Sequence, residues 1–464
     1  MNRRHFLTIA GTGLVVPALS KAWSGVQTGD AATKRSGLPD SQGPKASNAS
    51  LRIAPVNLEL ARGVNLRTVG YNGSSPGPVL RLKEGELVNI DVYNDTDLDE
   101  LVHWHGLAID SRNDGAMEEG SPMVPAHGHL RYSFTPKPSG TRWYHTHTMA
   151  GADLSRAGYT GQFGFLYIEP KHEPGQYDQE IFLAVHHWEP SFFKMGEPMN
   201  ALDVNYRYAS FNDKLHSAAE PIRVKFGQRV LFRLLNASAT EAVRLALPGH
   251  LFTVVAMDGN VVPQPRSIET LTLAVGERID AIVAMNTPGV WLLGAMDEHD
   301  RSRGLGRTIE YAGRTGKPIW ADPDDTNFNY FRFASTAEAP KPDLSVPMTF
   351  TPMSADKKGM QHWKVNGEEF SKSSPLELHE GKRHRLVFVN ASAEPHPLHL
   401  HRHSFELVSL GKQRGSGLMK DIVNIPPNST MEVDVVAENP GDSLFHCHQQ
   451  LHMDYGFMRL FKYV

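Results

Sequence analysis

The sequence predicts an all-β protein of three consecutive Greek-key β-sandwich domains, and three observations carry that prediction. A turn-then-strand unit occurs three times, each with its glycine nine residues before an asparagine. Leu82-Lys83-Glu84-Gly85 leads through Val88, Ile90 and Val92 to Asn94; Val224-Lys225-Phe226-Gly227 leads through Val230, Phe232 and Leu234 to Asn236; Leu378-His379-Glu380-Gly381 leads through His384, Leu386 and Phe388 to Asn390. The alternation has the period of two that a half-buried strand requires. A second unit recurs near the end of each copy: Pro138-Ser139-Gly140 before Trp143-Tyr144-His145, Pro288-Gly289 before Trp291-Leu292-Leu293, and Pro440-Gly441 before Leu444-Phe445-His446. The third observation is compositional: 40 Gly and 31 Pro in 464 residues suit a turn-rich β protein.

The repeats place the domains at about 51–172, 178–325 and 340–464, with the Pro/Asp-rich stretch from Lys317 to Pro347 as the last linker. At the N-terminus Arg3-Arg4-His5-Phe6-Leu7 is a twin-arginine pattern before an apolar run from Leu7 to Leu19. Residues 1–24 are therefore expected to be an export signal for the twin-arginine machinery, cleaved between about Ser20 and Ser24, and residues 25–50 a disordered linker. The mature protein is expected in the periplasm or otherwise outside the cytoplasm, without stable membrane insertion, since no further run of about 18 apolar residues occurs. A formal net charge of −4 and the lack of a dense Lys/Arg stripe argue against a nucleic-acid partner.

An exported chain usually carries disulfides, yet this one has a single cysteine. That cysteine lies in His446-Cys447-His448, with His452 five residues on. Imidazole and thiolate are ligands that copper favours, and a His₂Cys set is the signature of an electron-transfer copper. On a strand, neighbours face opposite ways. His446 and His448 are thus expected on one side and Cys447 on the other, so that one strand joins two metal sites. Four His-x-His pairs occur: 103/105, 145/147, 399/401 and 446/448. Eight imidazoles converging without a cation would suffer desolvation and mutual repulsion. His396, Cys447 and His452 remain as a separate set. The middle copy reads Val243-Arg244-Leu245-Ala246-Leu247 where the third has His396, His399 and His401. It is expected to be a spacer holding its neighbours in register, with His186, His187, His216, His250 and His299 as ordinary surface or core histidines.

These motifs resemble those of the multicopper oxidases, the family of laccases and bacterial cuprous oxidases. The resemblance runs from about residue 51 to the end through His103-Trp104-His105-Gly106, Trp143-Tyr144-His145-Thr146-His147, His396-Pro397-Leu398-His399-Leu400-His401 and His446-Cys447-His448 with His452. It implies three cupredoxin-like domains and four copper ions. The blue, type 1 copper would take His396, Cys447 and His452. The type 2 copper would take His103 and His399. One copper of the type 3 pair would take His105, His145 and His448, and the other His147, His401 and His446. Cys447, His446 and His448 would carry electrons between the centres. Asp114 resembles the family's acidic residue near the oxygen site; a plain turn aspartate is the other reading.

Two positions depart from the family pattern. Phe457 stands where an axial methionine is common, which predicts a raised potential at the blue site; Met458 is one position further on. Met453 follows His452, where many bacterial relatives have a proton-delivering glutamate, and the adjacent Asp454 is expected to face elsewhere. The expected activity is one-electron oxidation of phenolic or aromatic donors coupled to reduction of dioxygen to water. The alternatives are oxidation of cuprous ion for copper tolerance, for which no dense methionine run is present, nitrite reduction by copper, or a copper-free exported scaffold. Segment 354–362 and the loops beside His396 and His452 are the expected substrate contacts. Trp104 and Trp143 are expected to be packing residues.

Overall fold

A computed structural model describes residues 47–171, 176–196 and 200–464. The expected export signal and residues 25–46 of the expected linker lie outside the described residues. The first strand, Ala49–Ala61, begins two residues inside the stretch expected as linker, because Ala49 and Ser50 already pair in parallel with Ile90 and Asp91. Among the described residues no helix is long and apolar enough to cross a membrane.

Each domain is two sheets packed face to face, and the threefold repetition extends to the topology. Val88–Asn94, Arg229–Asn236 and Arg383–Asn390, the strands after the repeated glycines, lie parallel to the first strands Ala49–Ala61, Gln179–Lys194 and Leu344–Pro352. The second repeated unit forms Gly140–His145, Val290–Ala295 and Ser443–Cys447, which pair antiparallel with Phe163–Glu169, Gly306–Tyr311 and Met458–Tyr463. The sheets hold four and three strands in the first domain, six and five in the second, seven and five in the third.

The repeated asparagines explain themselves once folded. Each is buried at the end of its strand. Asn94 Nδ2 donates to the carbonyls of Leu98 (2.8 Å) and Val124 (3.1 Å), and its Oδ1 accepts from Thr96 N. Asn236 does the same with Glu241, Leu273 and Ser238 N, and Asn390 with Glu394, Pro426 and Ser392 N. One amide thus satisfies three backbone groups where the chain leaves the sheet, a task neither Asp nor Leu could perform. Gly85, Gly227 and Gly381 sit at φ +79°, +83° and +72°, a backbone region that glycine enters without strain.

The apolar cores follow the same division. Leu51, Ile53, Ile90, Trp104 and Leu166 fill the first domain, and a continuous cluster including Phe232, Leu245, Phe388, Leu407 and Phe445 runs through the second and third. Leu58, Leu60 and Trp143 pack against Ala184, Trp188 and Leu235 between the first two. The Lys317–Pro347 segment is irregular apart from the turn Tyr330–Arg332 and the start of the strand Leu344–Pro352, and it is pinned by buried Phe333.

The middle domain does more than space its neighbours. Its Arg278 makes a two-pronged contact with Asp421 of the third domain at 2.6 and 2.5 Å. Arg142 of the first domain reaches Asp421 at 3.3 Å and also binds Asn260 and the Asp258 carbonyl of the second. Lys420 bridges Asp258 and Glu277 at 2.8 and 2.9 Å. These charges are almost wholly buried, so each depends on its partner to offset lost hydration.

Candidate metal centre

Strand parity divides the ligand candidates between two faces. His396–Leu400 pairs with Ser443–Cys447 so that Leu398 lies opposite Cys447 and His399 opposite His446. Paired residues share a face and alternate residues repeat it. His396 therefore falls on the face of Cys447, and His399 and His401 on the face of His446 and His448. The first domain repeats the device: His103 bridges His145, which puts 103, 105, 145 and 147 on one side.

These two histidine-bearing faces meet across the interface between the first and third domains. The ring of His103 stacks on that of His401 at 4.0 Å and His105 on His399 at 3.9 Å. His105 Nδ1 stands 3.4 Å from His145 Nε2 and 3.3 Å from His448 Nε2. His446 Nε2 stands 3.4 Å from His147 Nε2 and 3.0 Å from His401 Nε2. The donor atoms close into triads of 103/105/399, 105/145/448 and 147/401/446, with a separate triad of His396, Cys447 and His452. All ten histidines and the cysteine expected from sequence are thus brought together in the two groups foreseen.

The donor chemistry fits metal. His103 Nε2 and His399 Nε2 are buried with no hydrogen-bond partner, while their other ring nitrogens are held by the carbonyls of Asp114 (2.8 Å) and Asp421 (2.7 Å). His145 is anchored by Thr146 O, His446 by Cys447 O, His105 by the Asp421 carboxylate and His401 by Asp114 Oδ2 at 2.7 Å. Anchoring one nitrogen so that the other points inward is the usual outer support of a metal-binding imidazole. Burial drives His105, His145, His147, His399, His401, His446 and His448 well below the ordinary histidine pKa, which keeps their inward lone pairs free.

In the second group Cys447 Sγ lies 3.7 Å from His396 Nδ1 and 3.5 Å from His452 Nδ1. Donors about 2.0–2.3 Å from a shared ion stand at such separations. Burial, aided by the charge of Glu394, pushes the Cys447 thiol up, so it would be inert as a free thiol, whereas a bound cation would hold it as thiolate. Ser392 Oγ anchors His396 Nε2 at 2.8 Å and Glu394 faces His452 Nε2 at 3.1 Å. Phe457 packs its ring on His396 at 4.8 Å, in keeping with a site lacking axial sulfur. Met458 pairs opposite His446 and packs with Ala116, Leu444 and Met453 instead.

Asp114 is no plain turn residue: it is fully buried and supports both His103 and His401. Trp104 is enclosed in the first-domain core, and Trp143 stacks on His145 at 4.1 Å. Asp454 accepts from Ala150 N, Gly151 N and Gln450 Nε2, so it faces the first domain. Segment 354–362 packs by Met360 against Leu202 and Val204 of the middle domain. Of the middle-domain histidines, 186, 187 and 250 are buried, 216 half-buried and 299 exposed, and none joins a metal-capable cluster among the described residues.

Several functional neighbours carried no sequence signal. Asp421 holds His105 by its carboxylate and His399 by its carbonyl. Glu119 approaches His401 at 3.4 Å and accepts from Leu444 N. Trp363 covers the cysteine group, 4.7 Å from both His396 and His452. Gly106 explains the fourth residue of the His-Trp-His-Gly motif: at φ +84°, any Cβ would strike the Asp421 carboxylate and the Arg278 guanidinium.

Comparison with known proteins agrees with this geometry. Multicopper oxidase family models match residues 52–173, 188–311 and 341–464. The multicopper oxidase MmcO of Mycobacterium tuberculosis is 28% identical over 100% of this chain and 97% of its own length. Laccase-1 of Fomitopsis schrenkii is 26% identical over 87% of this chain and 84% of its own. The crystal structure of Fet3p, a multicopper oxidase that functions in iron import, superposes with a TM-score of 0.76 over 89% of this chain and 90% of that one, at 18% identity. With three cupredoxin-like domains and family matches over most of its length, the chain belongs to the multicopper oxidases.

Proposed function

We propose that this multicopper oxidase couples one-electron oxidation of phenolic or aromatic donors to reduction of dioxygen to water. Four copper ions would be held as type 1 by His396, Cys447 and His452, as type 2 by His103 and His399, and as a type 3 pair by His105, His145 and His448 with His147, His401 and His446. When bound, they supply the one-electron steps and the oxygen site. The observation that carries the reading is the strand Ser443–Cys447, which turns Cys447 toward one donor set and the adjacent His446 toward the other. Electrons collected singly at the cysteine group then have a two-residue covalent path to the imidazole cluster. Four donors oxidised by one electron each balance one dioxygen and four protons converted to two waters.

The protein's own contribution is position and tuning. Asp114 and Asp421 fix four imidazoles, and buried neighbours keep their lone pairs available. Phe457 offers no axial ligand, which favours a raised potential and hence organic donors. Glu394 at His452 is a partly exposed carboxylate in contact with the entry group, and it can accept a hydrogen bond from a phenolic O–H. The second reading is oxidation of cuprous ion, a soft ion that favours sulfur over a carboxylate, which ranks it behind the phenol. Oxygen uptake by copper-loaded protein, measured in parallel with a phenol and with cuprous ion, tests the pair: faster turnover of the phenol is expected, and faster turnover of cuprous ion would reverse the ranking. We further propose export by the twin-arginine route, which replacement of Arg3 and Arg4 by lysine should abolish in a fractionation assay.

A further inference from the structure

Converting dioxygen to two waters consumes four protons, and the imidazole cluster is buried on every side that its own strands and sheets cover. A cavity of about 30 Å³ lies against His145, His147, His446 and His448, room for about one or two waters. On the third-domain side its wall includes Met453, which carries no proton, and Gln450, whose Nε2 donates to Asp454. Thr146 and Gln162 form part of the opposite wall. Behind them sits Glu100, only 6% exposed. Its Oε2 accepts from Thr146 Oγ1 at 3.1 Å and from Gln162 Nε2 at 3.1 Å. Thr146 continues to Thr148 Oγ1 at 3.2 Å.

From this geometry we infer that Glu100 is the proton-relaying acid of the oxygen site, passing protons through the Thr146 hydroxyl into the cavity. This inference rests on the oxidase reading above. Among the described residues no basic side chain makes an ion pair with Glu100. The charged and titratable groups acting on it are Arg156 and the phenol of Tyr71, whose oxygen is itself buried without a partner. Burial raises the carboxyl above its ordinary range, as a buried acid that stores a proton requires. In each transfer the Glu100 O–H bond breaks as its proton moves to Thr146 Oγ, and Thr146 releases its own hydroxyl proton to a cavity water. The carboxylate is then reprotonated from solvent, which reaches the chain at the exposed neighbours Asp97, Leu98 and Asp99. No electron passes along this route, so the electrons still arrive singly from the donor.

The test uses the full chain. In metal-free protein at neutral pH, the infrared carbonyl stretch of protonated carboxylic acids should lose one component in Glu100→Gln, the remainder belonging to other buried acids such as Asp454 and Glu119, which burial also raises. In copper-loaded protein, Glu100→Gln should keep its copper content and visible absorption, lose about a hundredfold in oxygen uptake, and show a larger solvent isotope effect. Glu100→Asp should recover part of the rate, and Thr146→Val should copy the loss. Equal rates and isotope effects in wild type and Glu100→Gln would overturn the inference, as would an unchanged infrared band or the same losses in Asp454→Asn alone. A wild-type protein that takes up no oxygen would instead overturn the oxidase reading itself.

Discussion

The outer domains and the middle domain share one architecture and differ in what they carry. All three have the asparagine brace, the glycine turn and the same strand order around them. The third domain's His396–Leu400 carries metal-capable histidines on both faces, whereas the middle domain's Val243–Ala246 buries Val243, Leu245 and Ala246 in the apolar core. The difference teaches that the brace builds the fold and the histidines are added to it. The middle copy has nevertheless kept a role at the centre, through the guanidinium of Arg278 behind Asp421.

The sharpest break in the comparison comes from removing a ligand on one side and a histidine on the other. Cys447→Ser should lose the blue absorption and essentially all steady turnover while retaining most of the remaining copper. His299→Ala, at an exposed middle-domain position, should change neither. Absorption spectra, copper analysis and oxygen uptake on the two variants decide the matter.

Acid gives the next largest effect, and it weighs more on the outer domains than on the middle one, where His186, His216 and His250 are also depressed by burial. The buried imidazoles whose folded pKa is depressed are neutral in the native state, while the unfolded chain protonates them near pH 6.5. Above that pH both states are neutral and these groups contribute no pH dependence. As pH falls below it, the unfolded state takes up more protons and stability is lost, by up to about 1.4 kcal/mol per pH unit for each such imidazole. Thermal melts of metal-free protein should therefore fall steeply below about pH 6.5. Copper should protect against the fall, because it competes with protons for the same nitrogens.

Arg278→Ala tests whether the middle domain reaches the centre. It leaves Asp421 with only Arg142 as a charged partner and should cost about 3–5 kcal/mol in denaturant unfolding. It should also weaken copper retention at the imidazole cluster more than at the cysteine group, since His105 and His399 both lean on Asp421. Equal loss from both groups would return the middle domain to a spacer.

The smallest effects should come from the brace. Asn94→Ala, Asn236→Ala and Asn390→Ala each remove an amide that satisfies buried backbone groups, at about 1–3 kcal/mol. The three losses should be similar. Asn236→Ala should leave copper stoichiometry untouched, because its domain shows no metal-capable cluster among the described residues.

What the sequence disclosed, and what it hid, follows the same physics. The ligand histidines were legible because strand parity writes them as His-x-His pairs around one cysteine, and the domains because Gly and Asn recur at fixed spacing. Asp421, Arg278, Trp363 and Glu100 were not legible. Each is a single residue of common type with no local pattern, and each acquires its role only when strands from different parts of the chain meet. Asp114 stood between these cases: its proximity to the first histidine pair was visible, but its contact with His401 spans the domain interface. Ala49 and Ser50 were missed because no alternating apolar pattern precedes Leu51; only pairing with Ile90 and Asp91 makes them strand.

The most direct test of the central claim is anomalous diffraction at the copper edge from crystals of the copper-loaded protein. The account predicts one peak between Cys447, His396 and His452, three peaks among the eight imidazoles of positions 103, 105, 145, 147, 399, 401, 446 and 448, and none in the middle domain. Copper absent from the imidazole cluster in a fully loaded crystal, or bound in the middle domain instead, would contradict it.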